Sequence, residues 1–287
     1  MTNWYVLAVI TLLFFGIQRF LYKVSAEKRC NSAWTSFSFM GTVALLSSIL
    51  FFASKETLTN LFFLLCISFV NSASFLANTI TAMEALKRIS MSVVYPVIRL
   101  NTTVVVIFSI IYFRDRLSIY QILGIILAII VILILIRYDY EEQRVRDKNV
   151  KVGFILIFLA LLSGAVAAIS TKFAAIYTNT LGFMAISYIF STFFSLGLRK
   201  RLKSEQENSN HRNALIIGCS MGLANFIGFY AFLKALSMGP LSIIISISGM
   251  YFVIAIVLSA LIYREKLNRL RIAGICLTII AVTLMRV

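Results

Sequence analysis

The chain has 287 residues, 60% of them hydrophobic and only 13% charged, with a mean hydropathy of +0.94; water-soluble domains average about 25% charged residues, so a soluble fold is excluded. The net charge of +16 would suit a nucleic-acid partner only as a basic patch on a soluble surface, whereas here Lys and Arg flank apolar runs, where they set membrane orientation. Cys30, Cys66, Cys219, Cys276 and the single His211 are scattered without ligand or CxxC spacing, so no metal, cofactor, disulfide or enzymatic constellation is expected.

Ten apolar runs follow along the chain, at roughly 3–24, 33–53, 58–83, 89–113, 119–136, 152–171, 181–198, 214–236, 241–263 and 270–285. Their length and lack of alternation predict an all-α integral membrane protein of ten transmembrane helices, because backbone groups in lipid must be satisfied within the segment. The first run has no positive segment before it and no small-residue cleavage site after it, so it reads as a retained span. In the third run Asn71, Ser74, Asn78 and Thr81 recur every three or four residues and form a polar stripe on one helix face.

The fourth run carries Pro96 and, near its centre, Arg99. An ionisable group at that depth costs about 2.5–3.5 kcal/mol on insertion scales, so it is expected to face a cavity or a partner. No acidic residue lies deep in any run; Glu84, at the end of the third, comes nearest. Arg99 is therefore expected to meet an anionic group of the substrate, a carboxylate or phosphate held by two parallel hydrogen bonds, unless it snorkels to the interface. Tyr95, one turn from Arg99, and Gln18, Asn71, Asn78, Asn225 and Tyr251 are the expected substrate-binding companions. For each amide the alternative role is an interhelical hydrogen bond, worth about 0.6 kcal/mol. Gly218-x-x-x-Gly222 and Ala160-x-x-x-Gly164-x-x-x-Ala168 read as close-packing stripes.

Numbered from the first, the odd loops hold 20 Lys and Arg and the even side 6, among them Lys55, Arg114, Arg116 and Lys172. The positive-inside rule then puts the odd loops in the cytoplasm and both termini outside.

A shift of 150 residues lays 85–137 over 235–287 without a gap, with 12 identities in 53 positions, among them Ala85/Ala235, Leu86/Leu236, Ser92/Ser242, Arg114/Arg264 and Gly124/Gly274. Asp115/Glu265 and Arg116/Lys266 are conservative besides. Two five-helix repeats follow, 1–138 and 152–287, joined by a charged linker at 139–151. An odd number of spans inverts the second repeat relative to the first, an arrangement that places transport sites near the midplane. Arg99 falls opposite Gly249 and Pro96 opposite Ser246, so the symmetry fails at mid-membrane, as an asymmetric ligand requires.

The segments AL-x(4)-SMSVVYPVIRL…FRDRLSIYQILGI and ALSMGPLSIIISISGM…YREKLNRLRIAGI resemble the two signatures of the EamA-type drug/metabolite transporter superfamily: Ala-Leu before the fourth span of each half, an acidic residue flanked by basic ones after it, and Gly-Ile in the next. Ser246 stands where that superfamily often has proline, and its members usually keep both termini cytoplasmic, opposite to the charge count here. The resemblance implies an alternating-access secondary transporter, an exporter of a small acidic metabolite. The alternatives are a flippase for a lipid-linked phosphate and a membrane receptor or scaffold without transport. The expected partners are the substrate and membrane lipids, without nucleic acid, for a monomer or homodimer in a bacterial or archaeal cell membrane.

Overall fold

Apolar runs that hold only two prolines, Pro96 and Pro240, form long helices. The computed structural model describes residues 3–28, 30, 32–54, 60–86, 98, 100–138, 150–199, 211–263 and 269–285. Tyr95, Pro96, Arg99 and residues 139–149 of the linker lie outside the described residues, as does the side chain of Glu84.

The described helices are α1 (Asn3–Glu27), α2 (Ser32–Ala53), α3 (Leu61–Leu86), α4 (Asn101–Phe108), α5 (Ile119–Tyr138), α6 (Val150–Tyr177), α7 (Thr180–Arg199), α8 (His211–Met238), α9 (Leu241–Gly249), α10 (Tyr251–Tyr263) and α11 (Arg269–Leu284). A π-helical turn, Ser109–Phe113, continues α4 and ends at Arg114 in the left-handed region, with φ 53°. Seven stretches among the described residues are long and apolar enough to cross a membrane, and Asn101–Phe113, Ile119–Ile130 and Ile272–Leu284 are shorter apolar helices. Phe52, Phe62, Ile111 and Leu261 are all more than 70% exposed, an outer surface that suits lipid and not water.

The run 241–263 reads as one helix, but the structure interrupts it: Met250 has φ −83° and ψ 8°, separating α9 from α10. No proline causes this; Gly249 precedes the break, and the Met250 N–H turns back to the Ile247 carbonyl at 3.1 Å. At the equivalent repeat position, Leu100 is likewise a turn residue immediately before α4. The two interrupted spans meet, α4 against α9, with Thr102 Oγ1 3.9 Å from where a Cβ on Gly249 would sit.

The helices of the two halves interlock. Helix α1 packs on α8 and α3 on α6; α2 packs on α7 and α8, and α3 also on α7; α5 pairs with α11. Exchanging the halves turns each of these pairings into another of the set, so the architecture is two-repeat. At one end of the bundle the Tyr5 hydroxyl donates to the Val282 carbonyl at 2.9 Å and Phe63 meets Tyr177. At the other, Phe20 meets Tyr263 and Trp34 meets His211.

Gly218 and Gly222 let α8 lie directly on α2. A Cβ at Gly218 would stand 2.7 Å from the Thr35 carbonyl oxygen, and one at Gly222 would stand 2.6 Å from Thr42 Cβ. Gly218→Val is expected to lower stability by about 1–3 kcal/mol through overpacking against backbone, read as a lower Tm of the detergent-purified protein.

Candidate functional site

Gly16 brings α1 against the interruption in the fourth span of the second half: a Cβ there would lie 2.8 Å from the Tyr251 carbonyl oxygen. The next turn of α1, with Gln18, Arg19 and Tyr22, therefore borders Tyr251. Around this junction is a cavity of about 250 Å³ lined from both repeats. Helix α1 contributes Phe15, Gln18, Arg19 and Tyr22; α2 contributes Phe39 and Met40; α3 contributes Asn71 and Phe75. From the second repeat come Ala167, Ala168 and Thr171 on α6, Ser187, Tyr188 and Ser191 on α7, Asn225, Phe229 and Phe232 on α8, and Tyr251.

One directional chain of hydrogen bonds crosses it. The Tyr188 hydroxyl donates to Asn225 Oδ1, and Asn225 Nδ2 donates to Gln18 Oε1 at 3.0 Å. Gln18 also hydrogen-bonds Tyr22, and with Oε1 engaged its Nε2 is the donating end. Gln18 is 9% and Asn225 6% exposed, so these amides are almost wholly enclosed and depend on one another. Tyr188→Phe would leave Asn225 Oδ1 without its donor; a loss of about 1–3 kcal/mol is expected, measured as a Tm drop.

Arg19 corrects the sequence reading, which counted it among loop charges. Helix α1 runs eight residues past it to Glu27, which puts Arg19 on the cavity wall rather than in a loop. Its guanidinium lies 5.1 Å from the Tyr251 ring centroid and 5.4 Å from that of Tyr22, between two electron-rich faces. Arg19 and Tyr22 are both exposed, so the cavity communicates with the outside at their end.

Asn71 Nδ2 faces three acceptors: the Ala167 carbonyl at 2.8 Å, Ser170 Oγ at 3.0 Å and Thr171 Oγ1 at 2.8 Å. Both hydroxyls donate their own protons to that same carbonyl, so the amide cannot be reversed without setting oxygen against oxygen. Asn78, on the same helix, lies apart from this cavity: its Nδ2 donates to the Ala160 carbonyl at 3.0 Å, and it packs with Asn101 over Gly164.

Of the residues anticipated from sequence, Gln18, Asn71, Asn225 and Tyr251 thus share one cavity, Asn78 does not, and Tyr95 and Arg99 lie outside the described residues. Arg19, Tyr22, Ser187, Tyr188 and Ser191 were not anticipated. Ser187 and Ser191, four residues apart on α7, carried the same helical-spacing signal as the stripe on α3.

The opposite end is sealed. Asp115 Oδ2 accepts from Ser109 Oγ at 2.5 Å and reaches across to the second repeat, accepting from Ser242 Oγ at 2.6 Å and from the Ser242 N–H at 3.2 Å. Lys172, also counted as a loop charge, is instead on α6 and only 6% exposed. Its Nζ donates to the carbonyls of Leu236 at 2.5 Å and Gly239 at 2.8 Å, lies 5.6 Å from the Phe113 ring, and acts electrostatically on Asp115. Leu236, Leu241 and Ile244, all fully buried, pack this end shut.

The EamA-like transporter family matches the chain twice, over residues 2–137 and 151–287. No curated protein matches it. A crystal structure of a protein superposes with a TM-score of 0.80 over 100% of this chain and 99% of its own, at 11% sequence identity, a likeness of fold alone.

Proposed function

The chain belongs to the EamA-like transporter family, as an integral multi-pass membrane protein built of two repeats, and from that premise we propose that it exports a small metabolite carrying an acidic group by alternating access. The observation that carries this reading is the cavity between the repeats, open beside Arg19 and sealed at the Asp115 end. A guanidinium with its five N–H donors suits a carboxylate or phosphate, and the adjoining tyrosines hold it in place without neutralising it. In this reading Arg19 has the anion-holding role that the sequence suggested for Arg99, with Gln18, Asn71, Asn225 and Tyr251 as its companions.

The interrupted spans support the same mechanism. Discontinuous helices at equivalent positions of two repeats mark the binding region in many transporters, and the break at Met250 delivers Tyr251 to the cavity. Ten membrane crossings, in two halves of opposite topology, follow if the three shorter apolar helices also span. With the odd loops cytoplasmic, the end at Arg19 faces the cytoplasm, where an exporter loads. A volume of about 250 Å³ suits a metabolite better than the head group of a lipid-linked phosphate.

Uptake into proteoliposomes, screened with acidic, zwitterionic and cationic metabolites with and without a pH gradient, tests the reading. Saturable flux of acid-bearing compounds is expected. Flux of cations only would overturn it.

A further inference from the structure

The cavity's polar atoms are not all donors. The Asn71 amide is locked with Nδ2 against Ala167, Ser170 and Thr171, so its Oδ1 is the end left over, and among the described residues no donor meets it. On the facing helix α7, Ser187 is only 3% exposed and its Oγ has no hydrogen-bond partner, while its carbonyl accepts from Ser72 at 2.8 Å. An unpaired buried hydroxyl is unfavourable, and both residues line the cavity. Arg19 stands elsewhere along it: at about 1.5 Å per residue it is about 12 Å from the end of α1 on the open side, whereas Ser187 is about 10 Å from the start of α7 on the sealed side.

Resting on the acidic-substrate reading above, we propose that Asn71 Oδ1 and Ser187 Oγ form a second subsite, an acceptor pair that takes an ammonium group of the substrate. The cavity then recognises a dipolar molecule in one orientation, its acidic group toward Arg19 and its amino group toward the sealed end. Phe15, Phe39 and Phe229 pack against the apolar part between them. An ammonium brings three donors, enough for both oxygens at once, and no nearby acid is needed to hold it.

The test uses two matched sets of probes with the purified full-length protein in detergent: leucine, 4-methylpentanoate and 3-methylbutylamine; phenylalanine, 3-phenylpropanoate and 2-phenylethylamine. Binding is read by titration calorimetry. The parent protein is expected to bind at least one zwitterion about tenfold or more tighter than its des-amino acid, and Ser187→Ala and Asn71→Ala are each expected to shrink that ratio severalfold. Ser187→Ala removes only an unpaired hydroxyl, so its Tm should equal or exceed the parent's, which separates lost binding from lost folding even if Asn71→Ala melts early. A des-amino acid that binds as tightly as its zwitterion, an unchanged ratio in Ser187→Ala, or no binding by any of the six probes overturns the subsite. An amine that binds as tightly as its zwitterion, with dependence on Ser187, upholds the subsite and overturns the acidic reading instead.

Discussion

Arg19→Gln is expected to weaken binding of acid-bearing substrates by about 100-fold while leaving the fold intact. Each hydrogen bond to a charged group is worth about 1.5–3 kcal/mol, and a bidentate pair forfeits more than one of them. Gln keeps the polarity and some of the reach of arginine but removes the charge and the planar fork. Arg19→Lys should recover only part of the loss, because an ammonium is a point charge and does not span two carboxylate oxygens. Arg19 is exposed at the cavity end and its contacts with Tyr22 and Tyr251 are of the cation–π kind, each worth about 0.5–1 kcal/mol at such a site, so Tm should change little. Calorimetric Kd values together with proteoliposome flux provide the check. Parent-like affinity in Arg19→Gln would remove this residue from substrate recognition.

The second large effect is expected at the sealed end. Asp115→Ala leaves Ser109, the Ser242 hydroxyl and the Ser242 N–H without their shared acceptor, and it leaves the buried Lys172 without its nearest opposing charge. A stability loss of about 1–3 kcal/mol is expected, scaled down from the fully buried case because Asp115 is itself half-buried. Since the bonds to Ser242 run between repeats, they exist only while this end is shut. Their loss should therefore shift the balance between the two access states by the same free energy, about 5- to 150-fold. Asp115→Asn retains an oxygen for the Ser242 donors and should lie between parent and Ala. The checks are Tm for the three proteins and apparent substrate affinity from the Arg19 end, which should fall in the order parent, Asn, Ala. Equal Tm in parent and Asp115→Ala would show that the bridge contributes nothing to holding the repeats together.

The helices were legible because apolar length in a chain with two prolines leaves little else to form, and the repeat was legible because charged hairpin residues such as Arg114 and Arg264 stay in register. Gln18, Asn71, Asn225 and Tyr251 stood out as polar side chains inside apolar runs, and the fold gathers them. Arg19 and Lys172 were misread for one reason: each lies near the end of an apolar run, and composition cannot tell whether the helix stops there or continues, as α1 does to Glu27 and α6 to Tyr177. Asn78 has the same spacing as Asn71, but Gly164 lets it close on the backbone of α6, a distinction made by the neighbouring helix and not by its own sequence. The interruption at Met250 lacked a proline, so nothing in the apolar run announced it.

The corner at Gly239 and Pro240 has an electrostatic consequence. Helix α8 arrives there with the negative end of its macrodipole and α9 leaves with the positive end of its own. The Lys172 ammonium sits on the carbonyls of the first, and the Asp115 carboxylate on an N–H of the second. Each formal charge is thus matched to a fixed backbone dipole, not to a mobile counter-ion. Such a corner is barely screened by dissolved salt, since Lys172 is out of water. Raising ionic strength should consequently weaken substrate capture at the exposed Arg19 while leaving the closure at the far end untouched, so that salt separates loading from gating.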